Sequence, residues 1–304
     1  MPAGLSPKEQ KAVAEIVKKA ENREKVPHTA QDSIPFIKMY PDGICRVTEN
    51  YYTRTIEYQD INYQLALADD QHAIFDEWCS FLNFFDSSIH FELSFMNKTA
   101  DEEESRKQID IPHANDGFDS VRDEYSGMLK NQLSRGNNGI VKKKYVTFGI
   151  EASKLSEAKP KLNHIESSIC NNFKKMGVSA HSLNGKERLE TLYYSLNPFR
   201  LNPFVFDWNA MLKAGWDTKD FIAPPSFKFA KQNFEIGDAM GAINCMSILA
   251  GELPDTILND FLELQHLFCV NIHVEPLDQV SALKFVKLKL TGVEEMKINE
   301  QKKA

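Results

Sequence analysis

Between residues 70 and 95 the apolar residues change their period, and that change limits the architectures open to the chain. Ile74, Phe75, Trp78, Phe81, Leu82 and Phe85 recur at three- and four-residue steps, the spacing of one helix face, whereas Ile89, Phe91, Leu93 and Phe95 alternate strictly, the spacing of one strand face. The same exchange recurs along the sequence. Residues 51–58 alternate, placing Tyr52, Arg54, Ile56 and Tyr58 on one strand face, and 140–150 read as a further strand. Residues 156–176 carry Leu162, Ile165, Ile169, Phe173 and Met176 at helical steps and stop at Gly177. A short strand over 178–183 and a helix over 186–196 follow. Strands and helices of moderate length that alternate in this way predict an α+β layer fold, with mixed or antiparallel sheets and helices packed on them.

Three parts are expected: an N-terminal helix and linker over 1–30, a first α+β lobe over 31–205 and a second over 206–304. Ser6-Pro7-Lys8-Glu9 is a capping box that opens a short helix with an apolar stripe to Ala20. Pro41-Asp42-Gly43 is a turn between the short strands 34–40 and 44–47. Residues 101–104 are an acidic loop, and 119–134 a helix. Asn197-Pro198, Asn202-Pro203 and Pro224-Pro225 bracket an aromatic stretch with little period, the expected inter-lobe region. Beyond it, 227–229, 235–237, 241–249 and 268–275 read as strands, and 254–265 and 278–290 as helices; the β-α-β order near 241–275 suits a ferredoxin-like half, so two ferredoxin-like lobes are expected. The run after Leu290 stays helix-prone and looks cut from something longer.

With 304 residues, 42% of them hydrophobic and 26% charged, the chain can bury a sizeable core. Its net charge of −7 argues against a surface dedicated to nucleic acid, because backbone-directed binding draws on clustered Lys and Arg. Lys142-Lys143-Lys144 lies in an alternating run and reads as a solvated or edge strand. The five cysteines, at 45, 79, 170, 245 and 269, form no zinc spacing and read as reduced thiols of a cytosolic protein. No apolar run is long enough to span a bilayer, so membrane association would run through a partner.

No phosphate-binding loop is present in the sequence. The Gly185-Lys186 pair is followed by Glu187, and the first glycine of such a loop would fall on Ala180. No residue is therefore assigned to catalysis, to a cofactor or to a metal. The eight histidines form no ligand pair, the residues around Asp116-Gly117 lack the side-chain oxygens of a calcium loop, and Asp69-Asp70 is the acidic opening of a helix. The remaining signal is aromatic. Tyr51, Tyr52, Arg54, Phe199 and Trp208, near turns and prolines, are the candidate partner-docking residues.

The runs 34–96, opening IPFIKMYPDGICRVTENYYTRTIEY, and 241–304, ending VEEMKINEQKKA, resemble the amino-terminal region of the conjugative-transfer ATPases of type IV secretion systems, in the TraE/TraC-like branch of Gram-positive mobile elements. In that family such a region precedes a RecA-like motor domain. The resemblance implies a docking and assembly module that binds inner-membrane channel proteins at the cytoplasmic face, with self-association into a dimer or hexamer and no direct nucleic-acid binding. ATP and Mg would belong to a motor expected beyond Ala304. The alternatives are a free-standing soluble enzyme, for which several of Asp69, Asp86, Asp116, His113 and Cys170 would have to converge, and a nucleic-acid adaptor.

Overall fold

The computed structural model describes residues 29–61, 63, 66–99, 111–136, 140–197, 202–231, 233–242 and 268–301. The expected helix over 6–20, the acidic loop 101–104, the helix over 254–265 and most of the strand 241–249 lie outside the described residues.

The fold is α+β, with two separate antiparallel sheets, as the alternating periods predict. The larger sheet rests on three long strands, β3 (Tyr51–Tyr58), β4 (His90–Thr99) and β5 (Ile140–Glu151). The short strands β1 (Lys38–Met39) and β2 (Cys45–Arg46) extend it beside β3, and β6 (Ala180–Ser182) pairs with β3 as well. β10 (Phe268–Val274), expected in the second lobe, joins this sheet instead: it pairs along β4 from Phe268↔Asn97 to Val274↔Phe91. The order is β1-β2-β3-β5-β4-β10.

Alternation explains the two faces. Tyr52, Ile56, Phe91, Leu93, Val146, Phe148 and Ile150 point to one side and are buried there. That side is covered by α2 (Ala68–Asn83) and α4 (Leu155–Lys175), whose apolar faces supply Phe81, Leu162, Ile165, Ile169 and Phe173. Phe173 stacks on Tyr58 at 4.7 Å between ring centroids and lies 5.0 Å from Phe81, so one ring ties both helices to the sheet. Each such side chain contributes about 1.5–3 kcal/mol of burial free energy. In sequence order α2 connects β3 to β4 and α4 connects β5 to β6, and these four strands neighbour one another in the order β6-β3-β5-β4.

On the opposite side, α5 (Gly185–Leu196) lies over β3 and β5, opened by Asn184 in a capping box with Glu187. With α6 (Trp208–Ala214) and α7 (Thr218–Ile222) it encloses a second core of Phe36, Met39, Leu189, Tyr193, Phe206 and Ile222. A four-residue helix α1 (Ala30–Ser33), capped by Thr29, leads into it. The smaller sheet is β7 (Phe227–Phe229), β8 (Phe234–Ile236) and β9 (Ala239–Gly241). The remaining helices are α3 (Asp119–Gly136) and α8 (Gln279–Gln301), and none of their side chains whose burial is described belongs to either core.

The lysine triplet is placed differently from its expectation. β5 runs between β3 and β4, so Lys143 and Lys144 are in the centre of the sheet. They are tolerated there because Lys143 pairs with Glu57 and Lys144 with Asp60.

Candidate docking surface

Of the five residues singled out by sequence, the four that are described do not come together. Tyr52 is 2% exposed and belongs to the main core; Arg54 is 8% exposed. Tyr51 points to the other face, half-buried, edge-on to His90 with ring centroids 6.2 Å apart. Burial raises its phenol pKa, and the neighbouring carboxylates Glu151 and Glu92 add to the shift. Trp208 is half-buried in the second core, and Phe199 lies outside the described residues.

Arg54 instead belongs to a node that fixes the Pro41-Asp42-Gly43 turn. Its guanidinium pairs with Glu166, donates to Asn163 Oδ1 at 2.7 Å and donates to the Asp42 carbonyl at 2.8 Å. Arg188, from α5, donates to the Gly43 carbonyl at 2.7 Å and to the Thr53 carbonyl at 3.0 Å. Arg188 keeps some surface as a residue, yet the protein strips its guanidinium of water, and that desolvation holds its pKa below the usual value. Lys159 reaches Asp42 from α4 at 2.6 Å. Burial alone would raise the Asp42 carboxyl, but the hydrogen bonds from Lys159 and the Ile44 amide outweigh it and leave the pKa lowered. Three cations thus hold one turn from two helices and a strand, which is a structural role.

A cleft of about 560 Å³ opens where α4 passes the end of the main sheet. Its floor includes Ile89, Ile150 and Ile165, and Asp86, His90, Glu151, Lys161 and His164 line it. Of the residues that an enzyme reading requires to converge, Asp86 alone lines this cleft, and its carboxylate is taken up by the Ser88 hydroxyl and amide. Asp69 opens α2; Asp116 is paired with Arg122, and His113 with Asp123, ahead of and within α3; Cys170 is half-buried in α4. Among the described residues, no three of His, Cys, Asp and Glu form a group that could hold a metal ion.

The feature suited to a partner is Trp216, which is 59% exposed. Its backbone is fixed on both sides. Gly215 ends α6 in the left-handed region at φ +69°, and the Trp216 amide donates back to the Met211 carbonyl at 3.1 Å, a Schellman-type closure. Asp217 then caps α7 in a box with Asp220. The indole meets Phe221 edge-on at 5.5 Å, Phe221 meets Phe206 at 4.9 Å, and Phe206 meets Trp208 at 4.8 Å. An exposed ring is therefore carried on a run of rings rooted in the second core, with Leu212, 70% exposed, on the helix beside it. A preorganised tryptophan has little conformational freedom left to lose on binding, which is the character of an interface hot spot. Periodicity missed it because α6 and α7 are too short to show one; the signal was local, Ala-Gly-Trp-Asp-Thr, a helix stop followed at once by a helix cap.

Among the described residues, no helix is long and apolar enough to cross a membrane. No protein-family model matches the sequence, and comparison with curated proteins finds no relative.

Proposed function

We propose that the chain is a docking and assembly module, the amino-terminal part of a type IV secretion ATPase, which binds inner-membrane channel proteins and positions a RecA-like motor at the cytoplasmic face of the membrane. The observation that carries this reading is Trp216, held out from the second core on a run of packed rings with its backbone capped on both sides. The sequence resemblance supplies the class of partner. ATP and Mg would be work for the motor.

The test is binding of the purified chain to detergent-solubilised channel subunits encoded beside it. Wild type binds, and Trp216→Ala weakens binding by about 30-fold, the loss of one hot spot of about 2 kcal/mol. Failure of wild type to bind any of those subunits overturns the reading, and unchanged binding by a folded Trp216→Ala variant removes Trp216 from it. The alternative, a free-standing enzyme, draws its support from the His90 and His164 cleft, into which only one of its required acids projects.

A further inference from the structure

The main sheet ends on an open strand. β10 is last in the order and pairs with β4 along one edge; among the described residues, the backbone of 269–274 has no partner other than β4. In an antiparallel pair every second residue directs its N–H and C=O at the neighbouring strand, and the residues between direct theirs away. Three of these six residues therefore each present a donor and an acceptor to the open side. Sheets that leave an edge in water commonly defend it with Lys, Pro or a bulge. β10 reads FCVNIHV, with neither Lys nor Pro, and its register with β4 is unbroken from Phe268↔Asn97 to Val274↔Phe91.

Packing defines what kind of strand the edge accepts. On the core side Val274 lies opposite Phe91 and Ile272 opposite Leu93. Phe91 and Leu93 are 4% and 6% exposed, whereas Val270, Ile272 and Val274 are only half-buried. The cover given by α2 and α4 thus thins within one strand spacing, about 5 Å, and leaves Ile272 and Val274 at the margin of the main core. On the outer side Cys269, Asn271 and His273 are exposed, with His273 Nδ1 2.8 Å from Glu92 Oε2. A further strand would bury apolar side chains on the first face and keep polar ones on the second. Two β10 edges set side by side would only join two thinly covered rows of Val and Ile; larger side chains are needed to fill the margin.

The ends of the edge differ in charge. Exposed Glu275 follows Val274 and takes part in no ion pair among the described residues, while Asp278 is engaged by the Val280 and Ser281 amides. At the other end Phe268 lies opposite Asn97, whose neighbours are Lys98 along β4 and Lys142 across on β5. Every pair in this sheet is antiparallel. A strand added in the same sense starts beside Glu275 and finishes beside the lysines, so complementary charge is basic first and acidic last.

We propose that the open edge of β10 docks an extended segment of another protein as an added antiparallel strand. That segment opens on a basic residue, closes on an acidic one and carries large apolar side chains at alternate positions between them. Main-chain hydrogen bonds supply the attachment, and the half-covered row of Val270, Ile272 and Val274 selects the side chains. The edge belongs to the main sheet and Trp216 to the run of rings on the second core, so the two readings stand or fall separately.

The probe is a fluorescein-labelled heptapeptide of lysine, three leucines alternating with two threonines, and a final glutamate, titrated with the purified full chain and followed by anisotropy. Two further versions keep every side chain and carry N-methyl groups either on the leucine nitrogens or on the threonine nitrogens. Only one of those sets faces β10 in an added strand. The parent peptide should bind saturably, one methylated version at least about tenfold more weakly, and the other within about threefold of the parent. Hydrogen exchange of the free chain should show alternate amides of 269–274 exchanging fast and becoming protected when the parent peptide is added. Folded Trp216→Ala should bind the peptide as wild type does. The proposal is overturned by a parent peptide that does not bind, by two methylated versions that behave alike, or by loss of binding in Trp216→Ala. Protection of all six amides in the dilute free chain overturns it too, because the edge is then already closed, as does protection that rises with the chain's own concentration, which marks pairing with a second copy.

Discussion

Gly43 sits at φ +85°, and a Cβ placed there would lie 2.0 Å from the Leu183 carbonyl oxygen. Backbone, not a flexible side chain, blocks that space, and the left-handed region adds its own strain to any other residue. Gly43→Ala is expected to destabilise the fold by about 2 kcal/mol or more, read from the midpoint of chemical denaturation at unchanged m-value. A loss under half of that would mean that the turn yields. The Arg54 node beside it behaves differently, because the damage there is electrostatic. Arg54→Met leaves Glu166 without its cation and Asn163 without its donor, and about 3 kcal/mol is the expected loss, trimmed by the 21% exposure of the glutamate side chain. Adding Glu166→Gln removes the stranded charge, so the double variant recovers part of that loss. A double variant as unstable as the sum of the two singles would show that the pair is not coupled.

At the scale of elements, what was legible followed period and length. β3, α2, β4 and α4 carry eight or more residues with one clean spacing, and the sheet and its main core follow from those four. The pairing partner of β10 was not legible, since strand order depends on contacts far apart in sequence. α6 and α7 are seven and five residues long, shorter than two helical turns, so Trp216 hid in what reads as an irregular aromatic stretch. Proximity to a turn singles out Tyr52 and Arg54 without saying which side of their strand is covered, and both are buried. The start of α3 shows how local charge tunes one element. The hydrogen bond that His113 donates to the Asp123 carboxylate, and the charge of that carboxylate, raise the His113 pKa above its ordinary value, while the hydrogen bond from Arg122 holds Asp116 at about 2. The histidine contact therefore supports this segment fully below pH 6.5 and is lost as pH rises through the raised value. The Asp116 contact is present above 3.8 and is lost as pH falls toward 2. Amide protection in the first turn of α3 should be greatest between those limits. An NMR titration should find the His113 pKa raised in wild type and lower in Asp123→Asn, with the Asp119 charge still acting on it; an unchanged value in that variant would mean that Asp123 is not the cause.

For the whole molecule, the two cores and the two bare helices lead to separable behaviours. Among the described residues, every member of both cores precedes Gln279 in sequence, with Ile272 and Val274 of β10 the last side chains to pack on them. α8 lies after that point and keeps Leu283, Leu288 and Leu290 at 65%, 75% and 59% exposure. Its apolar residues face all round rather than along one stripe alone, which in water favours association over a free helix. Ending the chain after Asp278 therefore removes exposed apolar area without opening either core. The melting temperature of that truncated chain at low concentration should stay within about 2 °C of the full chain, the scale of a stability change well under 1 kcal/mol. A large fall in melting temperature at low concentration would instead place α8 against its own fold, as a helix that the monomer needs.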